Sequence, residues 1–221
     1  MNEFNEATST SHFCQSLALL VAFPCPSCVH LYFEQIVIKG QEHLPESGSV
    51  VFASKHFSRW NPLLIALLSK EPLHFMTNAN QFEGFQGWLI QRVGAFPIDL
   101  NHPKFSSFRC AIELLQDGKK LVLFPEGGIV RDQPLRPLKT GLARLVLQAE
   151  AQLSEELKIP IIAIALRYDP GAYPRARVFI HISSPLYTQE YRKENDKHTA
   201  LALTQALQAA LLKGLKNTKS M

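Results

Sequence analysis

Apolar residues fall in short runs separated by polar turns, and the runs alternate between two periodicities. Val50 to Ala53 and Leu121 to Phe124 are unbroken apolar fours, the pattern of a strand covered on both faces. Glu34 to Lys39, with Ile36-Val37-Ile38 inside it and Gly40 closing it, predicts a strand, as does the alternating Arg177 to Ile182. Ile159 to Ala165 predicts another, with Pro160 at its start where no central ladder bond is lost. Leu73 to Met76 and Gly94 to Leu100 add two shorter ones.

Between these lie helical patterns. Leu63 to Leu68 is one, and Phe82 to Val93 another, with Phe82, Phe85 and Trp88 on one face. A third opens at His102-Pro103, gathers Phe108, Ile112 and Leu115 on one face and stops before Gly118. A fourth follows Gly141 with Leu142, Leu145, Val146 and Ala149, and Thr199 to Leu215 is the last. Strands alternating with helices predict an α/β three-layer sandwich, a central mostly parallel or mixed sheet flanked by helices.

Phe13 to Phe33 is the most apolar region, but Pro24 and Pro26 split it. Its unbroken part, Leu17 to Phe23, is far short of the ~20 residues that cross a bilayer. It reads either as short helices packed on the domain or as a hairpin in the membrane interface. The division expected is residues 1–35 as tail and apolar helical segment, and 36–221 as the α/β domain.

Composition changes this picture little. The 221 residues are 46% hydrophobic and 19% charged, which is globular, and a net charge of +4 permits attraction to anionic headgroups or an acidic carrier protein. Cys14, Cys25, Cys28 and Cys110 lack the spacing of a secreted disulfide framework, and no basic-led signal peptide precedes them. A reducing, cytoplasmic-side setting is the default. Cys25-Pro-Ser-Cys28 has redox-motif spacing without the second pair a zinc site needs. No P-loop, dinucleotide fingerprint or stripe of alternating aromatic and basic residues appears, so neither nucleotide cofactor nor nucleic acid is expected.

The candidate chemistry sits in two stretches. In Ser54-Lys55-His56-Phe57-Ser58-Arg59-Trp60-Asn61-Pro62, His56 falls on a strand-to-helix turn, where the side chains of open α/β sheets face a ligand crevice. Asn61 reads as the N-cap and Pro62 as the first helical residue. A histidine so placed can take a proton from a hydroxyl near neutral pH. Downstream, Phe124-Pro125-Glu126-Gly127 ends a central strand with a proline, a carboxylate and a glycine that lets the backbone approach a ligand.

Together the two stretches resemble the glycerolipid acyltransferases, the family that includes 1-acylglycerol-3-phosphate acyltransferases. That family carries His-x-x-x-x-Asp after one strand and Phe-Pro-Glu-Gly after another. Here the first motif runs from His56 to Asn61, an asparagine standing for the aspartate. A glycine-led strand ending in Asp-Arg is matched at Asp99 and broken at Leu100, with Arg109 one helix further on as a substitute clamp. The family's Thr-Arg after the second motif is replaced by Gly128-Ile129-Val130 and a delayed Arg131. Lys139-Thr140-Gly141 and Ile159 to Ala165 resemble two later segments, so the likeness spans Val50 to Ala165.

The resemblance implies acyl transfer from a thioester, acyl carrier protein or acyl-CoA, to the free hydroxyl of a lysophospholipid such as 1-acylglycerol-3-phosphate. The product would be phosphatidic acid, in phospholipid synthesis. His56 would be the base, Asn61 would orient it and Glu126 would hold the acceptor. Ser58, Arg59, Phe124, Pro125, Gly127, Gly128, Arg131 and Lys139 would line the substrate site, with Arg131 or Arg59 meeting the phosphate. The resemblance implies no metal and no organic cofactor. It implies membrane contact through the N-terminal segment and a peripheral or monotopic place on the cytoplasmic face.

The asparagine opens an alternative, a catalytically impaired relative that binds lysophospholipid or acyl carrier without efficient turnover. The family's aspartate fixes the imidazole tautomer and stabilises the imidazolium; an asparagine supplies at most the first. In the serine-protease triad the same exchange lowers turnover by about four orders of magnitude. Restoring the carboxylate with Asn61→Asp is therefore expected to raise activity. A lipid hydrolase is disfavoured, because no Gly-x-Ser-x-Gly elbow occurs.

Overall fold

The computed structural model describes residues 26–78, 95–98, 105–151 and 158–221. In chain order the elements are α1 (Pro26–Tyr32), β1 (Gln35–Lys39), β2 (Val50–Ser54), α2 (Asn61–Ala66), β3 (Leu73–Asn78), β4 (Ala95–Ile98), α3 (Phe105–Gln116), β5 (Lys120–Leu123), α4 (Gly141–Glu150), β6 (Ile161–Asp169), β7 (Arg177–Ile182) and α5 (Asp196–Lys219). The strands form one seven-stranded sheet in the order β1-β7-β6-β2-β5-β3-β4. β6, β2, β5, β3 and β4 run parallel, whereas β7 is antiparallel to β6 and pairs in parallel with β1. The expected mixed sheet flanked by helices is what forms.

β2 shows why its run is apolar throughout. Val51 and Ala53 point into one core with α3, α4 and α5, while Val50 and Phe52 point into a second core with α2. A central strand of a three-layer domain has no solvent face, so alternation is lost. α5 is longer at both ends than the periodicity indicated; its earlier start is fixed by Asn195, which caps it by accepting from the His198 N–H at 2.9 Å.

The described part of the N-terminal apolar region, α1, packs on the domain: Val29 and Phe33 lie in the second core. Leu31 points outward, 84% exposed. Leu17 to Phe23, the predicted helix Phe82 to Val93, and Asp99, Leu100, His102 and Pro103 fall outside the described residues. Among the described residues no helix is long and apolar enough to cross a membrane, and no cluster of side chains could hold a metal ion. Cys110, buried in α3, is disulfide-bonded, which the cysteine spacing did not suggest.

Candidate active site

Strand register builds the site. β2 and β5 pair in parallel with Val50 opposite Lys120 and Ala53 opposite Leu123. Continued past the strand ends, the same offset sets His56 beside Glu126, and the His56 N–H donates to Glu126 Oε2 at 2.9 Å. The imidazole lies on the ring of Phe124, centroids 4.1 Å apart and planes 19° from parallel. The two motifs thus meet in one place.

More bonds sew the second loop to the first. The Val130 N–H donates to His56 O at 2.8 Å and the Gly127 N–H closes a turn on Phe124 O at 3.0 Å. Gly127 has φ 75°, a left-handed conformation that favours glycine, whereas the space around it would admit a Cβ. Lys139 returns alongside, its N–H on Pro125 O at 3.2 Å. Exposed Arg131 reaches back, Nε donating to Phe57 O at 3.2 Å. Gly127, Gly128, Arg131 and Lys139 therefore do gather beside the histidine turn.

Two expected roles are corrected. Glu126 is 2% exposed and is spent inside the protein. Its Oε2 takes the His56 N–H, its Oε1 takes the Arg136 N–H at 2.9 Å, and Lys55 Nζ stands 3.6 Å from Oε1. A carboxylate so engaged anchors two loops and has no oxygen turned to an acceptor.

Asn61, fully buried, makes no hydrogen bond to the imidazole. Its Nδ2 donates to Lys55 O at 2.7 Å, while its Oδ1 accepts from the Ser58 N–H at 2.9 Å and the Tyr168 hydroxyl at 2.8 Å. Nor is it the N-cap: α2 begins at Asn61, Trp60 precedes it and no side chain caps the helix. The side chain turns back to close its own loop, which left the sequence reading one residue late.

Ser58 and Pro125 are likewise buried in the turns, Ser58 Oγ accepting from the Trp60 N–H at 3.3 Å. They shape the site and do not line it. Arg59 is exposed on the turn, and Arg109 is paired with Glu113 on an exposed face of α3, Nε to Oε1 3.0 Å. That pairing is an ordinary helix-surface contact and gives Arg109 no clamp role.

Electrostatics follow from burial. His56 is pushed down to about 4, by burial first and then by the Lys55 cation. Its Nδ1 is buried and finds no hydrogen-bond partner, so Nε2 is the nitrogen left to serve a substrate. Sequence reasoning missed Lys55 and Tyr168. Lys55 carried a signal, a lysine at the exit of a wholly apolar strand; Tyr168 carried none, since it meets Asn61 only through the strand order.

Comparison with known proteins bears on family and fold. The chain is 25% identical over 175 residues to the 1-acyl-sn-glycerol-3-phosphate acyltransferase of Bacillus subtilis, covering 78% of this chain and 84% of that protein. The enzyme of the same name from Streptococcus pneumoniae is 25% identical over 155 residues, 69% of this chain and 55% of that one. The crystal structure of the 1-acyl-sn-glycerophosphate acyltransferase of Thermotoga maritima shares the fold, with a TM-score of 0.69 at 15% identity over all of this chain and 85% of that one. A family model described as Acyltransferase matches residues 35–167, more than half of the 221. The chain belongs to the acyltransferase family.

Proposed function

We propose that this O-acyltransferase moves a fatty acyl group from a thioester, acyl carrier protein or acyl-CoA, to the free hydroxyl of 1-acylglycerol-3-phosphate. The observation that carries the reading is the junction of His56 with the Phe124–Gly127 turn, secured by the His56 N–H on Glu126 at 2.9 Å. The acceptor hydroxyl gives its proton to His56 Nε2 as its oxygen attacks the thioester carbonyl. The tetrahedral oxyanion collapses, the C–S bond breaks, and the imidazolium returns the proton to the leaving thiolate. Phosphatidic acid and free thiol result, with no metal or organic cofactor entering. Arg131, already held against the histidine turn, meets the acceptor phosphate, and Lys139 adds a second cation. The acceptor comes from a membrane surface, on the cytoplasmic face, with the protein peripheral or monotopic there.

One observation favours a second reading. For Nε2 to act as base, the proton must reside on Nδ1, where it is buried without an acceptor. No carboxylate is bonded there to stabilise the imidazolium, which suits a slow enzyme or a lysophospholipid-binding relative without turnover. The assay is transfer of labelled acyl groups to 1-acylglycerol-3-phosphate, by wild type and His56→Ala, with lysophospholipid binding measured in parallel. Slow transfer abolished by His56→Ala supports the enzyme. Binding without transfer supports the impaired relative, and the absence of both refutes the two together.

A further inference from the structure

Lys55 belongs to neither motif, yet it is 4% exposed between them. An ammonium has three protons to donate and no acceptor of its own, so burying it demands oxygens around it. Nζ finds three: Val130 O at 3.0 Å, Gln133 O at 3.1 Å, and Glu126 Oε1 at 3.6 Å. Burial pulls its pKa down and Glu126 opposes the pull.

The positions of those oxygens matter more than their number. Val130 and Gln133 flank Arg131 along the loop, so one buried cation gathers the backbone carbonyls on both sides of the arginine. The same Val130 is tied by its N–H to His56 O at 2.8 Å, and Arg131 itself by Nε to Phe57 O at 3.2 Å. Arg131 is otherwise an exposed residue on a loop without helix or strand, and an unconstrained arginine there would lose rotamer freedom on binding a phosphate.

We propose that Lys55 is a positioning residue for the transfer reaction, acting through the carbonyls of Val130 and Gln133 to hold Arg131 against the histidine turn, ready for the acceptor phosphate. The proposal rests on the lysophosphatidate reading given above. It assigns Lys55 to acceptor affinity, not to the bond-making step.

The experiment compares wild type, Lys55→Met, Arg131→Ala and the double variant on two acceptors, 1-acylglycerol-3-phosphate and phosphate-free monoacylglycerol. Lys55→Met is expected to raise KM for the phosphorylated acceptor about tenfold, the worth of one hydrogen bond to a charged group, with KM for the thioester nearly unchanged. On monoacylglycerol Lys55→Met should do little. The double variant should be scarcely worse than Arg131→Ala, since both substitutions remove one contact. Equal losses on both acceptors, an unchanged KM, or full additivity with Arg131→Ala would overturn the proposal.

If wild type does not transfer, Kd for the two acceptors replaces KM, so the role of Lys55 is judged apart from turnover. If wild type neither transfers nor binds 1-acylglycerol-3-phosphate, the functional reading fails and the proposal with it. Thermal unfolding checks that each variant folds. Should Lys55→Met be too unstable, Lys55→Gln takes its place under the same comparisons, since its shorter, uncharged amide cannot gather all three oxygens while Glu126 keeps both of its backbone N–H partners.

Discussion

Three polar groups converge on position 61: the carbonyl of Lys55, the N–H of Ser58 and the hydroxyl of Tyr168. One demands a donor and two demand an acceptor, a combination that a side-chain amide supplies and an ionised carboxylate does not. The asparagine is therefore fitted to this turn, and the ground for expecting a gain from Asn61→Asp is gone. Aspartate would leave Lys55 O without its donor and bring a carboxylate against it in a fully buried place. We expect Asn61→Asp to cost about 1–3 kcal/mol, lowering Tm by several degrees, with no rise in acyl transfer. A thermal scan and the transfer assay check it; an active, equally stable variant would show that residue 61 can turn toward the imidazole. Tyr168→Phe removes only one of the two donors to Oδ1 and should cost about 1 kcal/mol by the same scan.

At the scale of elements, the sequence was most legible where a pattern is local. Arg177–Ile182 forms as read from alternation, and Val50 to Ala53 differs from the observed strand only by Ser54. The meeting of His56 with Glu126 follows from adjacent parallel strands of matching register, but the two motifs had to be assigned to neighbouring strands by resemblance, since nothing in either names its partner. Side-chain roles were the least legible. Glu126 and Asn61 were recognised as important and misassigned, because which way a polar group faces is decided by partners distant in sequence, such as Arg136 and Tyr168. Gly214 is a further case, a glycine inside α5 that propensity alone would call a weakness. A Cβ there would stand 2.8 Å from Ala165 Cβ and 3.3 Å from His181 Nδ1, so the glycine lets α5 lie close on β6. Gly214→Ala should therefore destabilise the fold by about 1–3 kcal/mol from overpacking, against the ~1 kcal/mol gain that alanine gives in an open helix. Urea unfolding reads the sign, and a stabilised variant would mean that α5 is free to shift outward.

Across the molecule, the buried histidines couple folding to pH. His56 and His74 are each pushed down to about 4, burial being the larger cause in both and the neighbouring cations Lys55 and Lys119 the smaller. Burial and then His43 lower His181 as well. In the unfolded chain these imidazoles take protons near 6.5. Between about pH 6.5 and 4 the unfolded state thus binds more protons than the fold, and stability must fall as pH falls through that window. Above it both states hold the groups neutral and this contribution is complete. Denaturation midpoints at pH 7.5 and 4.5 should differ accordingly, and His74→Gln, in a strand away from the histidine turn, should flatten the difference. The proposed base and the fold then part company in a measurable way. His56 stays deprotonated in the folded protein down to about 4, so the acid limb of kcat/KM should lie near that value wherever enough protein remains folded. A rate that falls already near pH 6.5, in protein shown still to be folded, would mean that the His56 imidazole is more solvated than its place against Phe124 allows.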